Sequence, residues 1–116
     1  MRDPNKLTTF KAATDFVPRI YKATKNFPIE ERFGLQSQFR RAAVSVPTNI
    51  VEGCARRSQP DYVRFLDIAH GSAAEVAFLI DLATTLEFLT VDQRSELLGD
   101  AEGIRKSLSA LIQSLS

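Results

Sequence analysis

The stretch FRRAAVSVPTNIVEGCARRSQPDYVRFLDIAHGSAAE, residues 39–75, decides the fold. Phe39, Ala43, Val46, Ile50 and Cys54 step by four, three, four and four, which is one face of an α-helix, and that phase runs straight across Pro47. The spacing predicts one second helix from about Glu30 or Leu35 to Arg57. It should bend at Pro47, which removes the hydrogen bond to the Ala43 carbonyl. Ser58-Gln59-Pro60-Asp61 then reads as a helix start, with Ser58 as N-cap, Pro60 in the first turn and Asp61 favourable to the dipole. So short a connection makes the second and third helices an antiparallel pair. The third helix is predicted to reach about Leu89, with Tyr62, Phe65, Ala69, Ser72, Val76, Leu79, Ala83 and Leu86 along a bundle-like seam.

On the amino-terminal side, Leu7, Phe10, Thr14, Val17, Tyr21 and Thr24 mark a first helix between about Asn5 and Asn26. Pro18 interrupts it, and either kinks the helix or delays its regular part to about Asp15. Asn26-Phe27-Pro28 breaks it from the second helix. On the carboxyl side, Thr90 with Gln93 forms a capping box opening a fourth helix, whose apolar face is Leu97, Ala101, Ile104, Leu108, Leu111 and Leu115. No segment alternates like a strand. The fold class is therefore all-α: an antiparallel up-down-up-down four-helix bundle, with residues 1–116 as a single domain.

The composition is that of an ordinary globular chain, 44% hydrophobic and 25% charged. No apolar run suits a signal peptide or a membrane span, so the expected location is cytoplasmic. One cysteine and one histidine leave no ligand set for a metal, and Cys54 reads as core filler. Net charge is only +1, yet residues 1–64 hold twelve Lys/Arg against six Asp/Glu, while residues 65–116 hold three against eight. Such polarity suits an anionic partner, or attraction between neighbouring helices or subunits.

Helix two carries a second, polar stripe: Arg41, Ser45, Asn49, Glu52 and Arg56. Ser72 and Glu75 on helix three are placed to meet it, as a structural Arg–Glu–Asn network rather than an acid–base site. No nucleophile, metal ligand set or phosphate-cradling glycine loop accompanies the carboxylates. His70 and Asp67, one turn apart, read as a solvated surface pair. Gly71 and its small neighbours suggest a close helix contact. Val44, Val51 and Ala55 on helix two and Phe78, Leu82 and Leu89 on helix three lie outside the seam and are candidates for an oligomer interface.

QFRRAAVSVPTNIVEGCARRS, followed by YVRFLDIAHGSAAEV and preceded by FPIEERFGL, resembles the four-helix-bundle proteins encoded in intervening sequences of bacterial 23S ribosomal RNA genes. The resemblance covers about residues 7–90, and Pro18 departs from it. It implies a helical bundle in a closed homo-oligomer, a pentamer by analogy. It also implies a relation to accessory proteins of diversity-generating retroelements, where a basic surface engages nucleic acid and a reverse transcriptase. It carries no catalytic residues and no cofactor. The expected function is thus non-enzymatic binding of nucleic acid, RNA favoured, by an oligomer through Arg32, Arg40, Arg41, Arg56, Arg57 and Arg64. The alternative is a protein-interaction scaffold, or a reverse-transcriptase accessory subunit that does not itself touch nucleic acid. What Arg41 and Arg56 face separates the two: pairing with Glu52 and Glu75 would remove the free basic surface.

Overall fold

The computed structural model describes all residues, Met1–Ser116. Four helices are present and no strand: α1 Thr8–Thr24, α2 Leu35–Cys54, α3 Gln59–Thr85 and α4 Val91–Ser114. Short 3-10 turns at Pro4–Lys6 and Ile29–Glu31 precede α1 and α2. Helix α2 is unbroken through Pro47, as the apolar phase requires. Helix α1 is likewise unbroken through Pro18 and begins at Thr8, well before Asp15.

The starts of the helices follow local chemistry. Ser58 accepts the Asp61 N–H at 3.3 Å, and Thr90 and Gln93 form the reciprocal capping box. Gly34 at the N-cap of α2 has no side chain to offer, so the Glu31 carboxylate accepts the Leu35 N–H at 3.0 Å instead.

Each helix packs against two neighbours in cyclic order, and the diagonal pairs α1–α3 and α2–α4 do not meet. Cross-helix bonds give the sense of each pair. Arg2 N–H reaches the Cys54 carbonyl while Arg40 reaches Tyr21; Gln38 bonds Glu75 while Ser45 bonds Ser72; Arg94 bonds Asp81 while Ser109 bonds His70. On α1 and α4, Thr9 meets Ser107 and Arg19 meets Asp100. Along every neighbouring pair, residue numbers rise on one helix as they fall on the other.

One apolar cluster joins all four helices, with Phe16, Ile20, Phe39, Ile50, Leu66, Leu79 and Leu108 among its fully enclosed side chains. The α4 face is the expected one. The α1 face is the expected one only in part: Thr24 is buried and Leu7, Phe10 and Val17 pack against the core, but the other buried residues are Thr9, Ala13, Phe16 and Ile20, and Thr14 and Tyr21 are exposed. Two core positions of α1 are threonines, and Thr9 is one that a hydropathy reading passes over. Both are satisfied, Thr9 by the Ser107 hydroxyl and Thr24 by donating to the Ile20 carbonyl at 2.8 Å.

The end of α3 also departs from expectation. The helix stops at Thr85, and Glu87 adopts a left-handed φ of 64°. The N–H groups of Phe88 and Leu89 both return to the Ala83 carbonyl, at 2.8 and 3.3 Å, in the manner of a helix-terminating turn. The reversal exposes Leu86, which the seam had included, and folds Leu89 into the core. Phe88 packs on Phe27 at 5.4 Å between ring centroids, and Phe27 meets Phe39 edge-on at 6.1 Å. Leu89 is therefore a core residue and not available to a partner.

The close helix contact lies at Gly53 rather than Gly71. A Cβ at Gly53 would sit 3.0 Å from the Phe65 Cβ and 3.2 Å from the Tyr62 carbonyl oxygen, whereas nothing lies within 4 Å of one at Gly71. Gly71 thus carries the helix cost of glycine without a packing return. Gly71→Ala should stabilise the fold by about 0.5–1 kcal/mol, raising the melting temperature by roughly 3–5 °C in calorimetry. An unchanged or lowered midpoint would mean that position 71 is covered by something beyond this chain.

Candidate nucleic-acid interface

The six arginines predicted to form a basic surface do not share one fate. Arg40 is committed to the fold: its Nε donates to Thr24 Oγ1 at 2.9 Å, its Nη2 donates to the Tyr21 carbonyl at 3.2 Å, and its guanidinium lies 4.5 Å from the Tyr21 ring centroid. It closes the last turn of α1, where a cation is favoured, and leaves the candidate surface. Arg41, the next residue, points outward with no ion pair. It stands between two shallow grooves, one edged by Phe33, Gln38 and Glu75 and the other by Tyr21, Val44 and Thr48. Arg32, also exposed, lies over the Phe33 ring at 5.3 Å near the opposite end of the bundle from the α2–α3 turn.

The remaining three gather where α2 passes into α3. Arg56 and Arg64 both lie over the ring of Phe65, at 4.8 and 4.6 Å from its centroid. Arg56 Nε donates to the Glu52 carbonyl at 3.2 Å, and Arg64 is 3.6 Å from Asp61. Arg57 is exposed without a partner. A fourth arginine, which sequence reasoning did not single out, joins them. The backbone N–H of Arg2 binds the Cys54 carbonyl at 2.9 Å, and its guanidinium lies 4.0 Å from the Tyr62 ring centroid.

The expected Arg–Glu–Asn network does not form. Neither Arg41 nor Arg56 makes an ion pair with Glu52 or Glu75; the five ion pairs of the molecule use Lys11, Arg19, Arg64, Arg94 and Arg105. What joins α2 to α3 is a set of hydrogen bonds without an ion pair. The hydroxyls of Ser45 and Ser72 share a 2.8 Å bond, Asn49 Nδ2 donates to Ser45 Oγ at 3.0 Å, and Gln38 donates to Glu75 at 3.3 Å. Arg41, Glu52 and Glu75 are all exposed, where an ion pair would add little to stability.

His70 does not pair with Asp67; its Nε2 lies 3.1 Å from Ser109 Oγ across the α3–α4 groove. Ser109 sits within α4, whose N–H groups are spent on the helix, so no backbone donor faces it. Cys54 is buried, and burial pushes its thiol and the adjacent Tyr62 phenol up from their usual ranges, which keeps the thiol protonated and unreactive. No group of three His, Cys, Asp or Glu side chains is arranged to hold a metal. No helix is long and apolar enough to cross a membrane.

The candidate oligomer residues divide as well. Val51 is 43% exposed, Phe78 62%, and Val44 and Ala55 are also outward, whereas Leu82 is half-buried against the core and Leu89 lies within it. Ile68, which the seam analysis passed over, is also exposed on α3.

A solved structure of a protein of unknown function from the S23 ribosomal protein family of Bacteroides thetaiotaomicron VPI-5482 has the same fold. It superposes with a TM-score of 0.82 at 27% identity, over 90% of this chain and 98% of that one. Among curated proteins none matches. The family model described as 23S rRNA-intervening sequence protein matches residues 5–110, nearly the whole four-helix core, and the chain belongs to that family.

Proposed function

We propose that this protein is a non-enzymatic, homo-oligomeric nucleic-acid-binding protein with RNA as the favoured ligand. The observation that carries this reading is the state of the arginines: Arg32, Arg41, Arg56 and Arg57 are free of carboxylate partners, although Glu52 and Glu75 stand on the same helical faces. Had those glutamates been paired with Arg41 and Arg56, the free basic surface would have shrunk. The family's association with 23S rRNA genes supports RNA as the partner. An oligomer, with a pentamer favoured by the resemblance, repeats each patch once per subunit, so weak phosphate contacts add by multivalency with little sequence preference. The chain has no tryptophan, and five of its eight phenylalanines lie in the core or pack against it, so base stacking contributes little.

Fluorescence anisotropy with labelled single-stranded RNA tests this. Affinity should fall with salt at a log–log slope of about −0.7 per neutralised phosphate, with similar affinity for unrelated sequences. Absence of binding to RNA and DNA at about 50 mM salt, where phosphate contacts are strong, would overturn the reading. It would favour the second one, a protein-interaction scaffold or reverse-transcriptase accessory subunit. The exposed apolar side chains Phe33, Val44, Val51 and Phe78 are the observation behind that alternative.

A further inference from the structure

The arginines that meet at the α2–α3 turn differ from Arg32 and Arg41 in how they are held, and the difference begins with Gly53. Lacking a side chain, Gly53 lets α3 approach so closely that the Phe65 Cβ lies 3.0 Å from the place a Gly53 Cβ would occupy. The half-buried Phe65 ring is thereby set against the last turn of α2. There Arg56 from the α2–α3 turn and Arg64 from α3 both reach it, within 5 Å of its centroid. An aromatic face holds a guanidinium by cation–π attraction and dispersion, which take up its flat surface and leave its N–H edges open. A carboxylate partner does the reverse and consumes the edges.

The donors are indeed unspent. Each guanidinium has five N–H groups. Arg56 uses one, on the Glu52 carbonyl; Arg64, 3.6 Å from Asp61, makes no hydrogen bond to it; Arg57 uses none. Arg2 repeats the arrangement next door over Tyr62, with one N–H given to Gln59 Oε1 at 3.3 Å. Asp3, Glu52 and Asp61 are the acidic side chains near this end, and Asp61 alone approaches one of the four arginines within ion-pair distance. Four guanidiniums, three of them held by rings, therefore present prepaid donor edges at one end of the bundle.

We propose that Arg56, Arg57 and Arg64, with Phe65 as the residue that positions two of them and Arg2 at the margin, form the principal phosphodiester-binding site for a single RNA strand. The proposal rests on the nucleic-acid reading above and narrows it from a diffuse surface to the α2–α3 end. Two guanidiniums stacked on one ring are close enough to take neighbouring phosphates of a strand, and bidentate Arg–phosphate geometry needs the open edges that stacking preserves. Arg41 and Arg32, far along the bundle, add only long-range attraction.

The test uses a labelled oligouridylate, whose bases stack poorly, with the full-length wild-type protein and two sets of charge-neutralising variants, compared per charge removed. R56Q/R57Q/R64Q should weaken binding at about 50 mM salt by roughly tenfold or more and flatten the log–log salt slope by about 0.7 per lost contact. R32Q/R41Q should weaken binding measurably but by only about twofold, the loss expected of long-range attraction. Phe65→Leu should weaken binding by roughly threefold with the slope unchanged, because the charges remain but are no longer held; Phe65→Tyr should restore it. Far-UV circular dichroism checks that each variant is folded. Equal losses in both sets, or a larger loss in R32Q/R41Q, would overturn the site while leaving nucleic-acid binding intact. A wild-type protein that binds no RNA would overturn both.

Discussion

Gly53→Val should lower the melting temperature by roughly 10 °C, while the same substitution at Gly71 leaves it within a few degrees of wild type. Both glycines are inside helices and neither has a positive φ, so the backbone does not distinguish them. The surroundings do. At Gly53 the first added carbon already falls 3.0 Å from Phe65 Cβ and 3.2 Å from both Tyr62 Cδ1 and the Tyr62 carbonyl oxygen. Two of those three atoms are backbone or directly attached to it, so relief requires α2 and α3 to separate at this end. Valine then adds two methyl groups in the same gap, an overpacking cost of about 2–3 kcal/mol set against a helix-propensity gain of a few tenths. Gly53→Ala, with the first carbon alone, should fall between the two. Calorimetry at fixed protein concentration decides, since assembly also raises the midpoint. A valine at position 53 that melts like wild type would mean that α2 and α3 slide apart at no cost, and would remove the reason why Phe65 sits where two arginines reach it.

That contrast shows what the sequence could and could not disclose. Gly53 was legible in principle: it lies three residues after Ile50 and just before Cys54, on the buried face of α2. Gly71 drew the eye because it sits among alanines, yet it points away from every neighbour. The helices themselves were legible where apolar side chains kept phase, as along Phe39–Cys54 and Leu97–Leu108, and where caps were written in side chains, as at Ser58 and Thr90. They were not where a core position is a threonine whose hydroxyl finds a partner on another helix, as at Thr9, or where a glutamate takes a left-handed turn that glycine usually fills, as at Glu87.

The basic surface was legible only as a count of charges. Arg40 and Arg41 are adjacent in sequence and opposite in role, because a step of one residue turns a side chain by about 100° around the helix. That rotation carries Arg40 onto the carboxyl end of α1 and Arg41 into solvent. No local pattern reveals this; it follows from where the last turn of α1 lands. Arg2 was invisible for a similar reason, since a backbone bond to the Cys54 carbonyl brings it from the far end of the chain. The absence of Arg–Glu pairs was not legible either, since helical spacing brings exposed charges near one another while pairing there gains little.

Val51→Glu should convert the protein from an oligomer to a species of 12.9 kDa in light scattering at micromolar concentration. Val44, Thr48, Val51 and Ala55 follow one another at four, three and four residues along the outer side of α2, the spacing of a helix-packing seam, and all four are exposed. A carboxylate at the centre of such a seam is left unpaired when the seam is covered, at a cost of several kcal/mol, yet disturbs nothing in the monomer because Val51 already faces water. Helix α3 offers a second and different apolar face at Phe78. Two unlike faces suit head-to-tail contacts that close a ring, in which the α2 face of one subunit meets the α3 face of the next. The geometry makes a sharper expectation. Phe78→Glu should also give monomers, and mixing it with Val51→Glu should yield a dimer and nothing larger, since each variant retains one intact face and the pair shares a single complete interface. In a two-fold arrangement of α2 against α2, Phe78→Glu alone would remain dimeric and mixing would change nothing. A wild-type protein already at 12.9 kDa would overturn self-association altogether, and the arginine clasp would then have to hold RNA without the help of repetition.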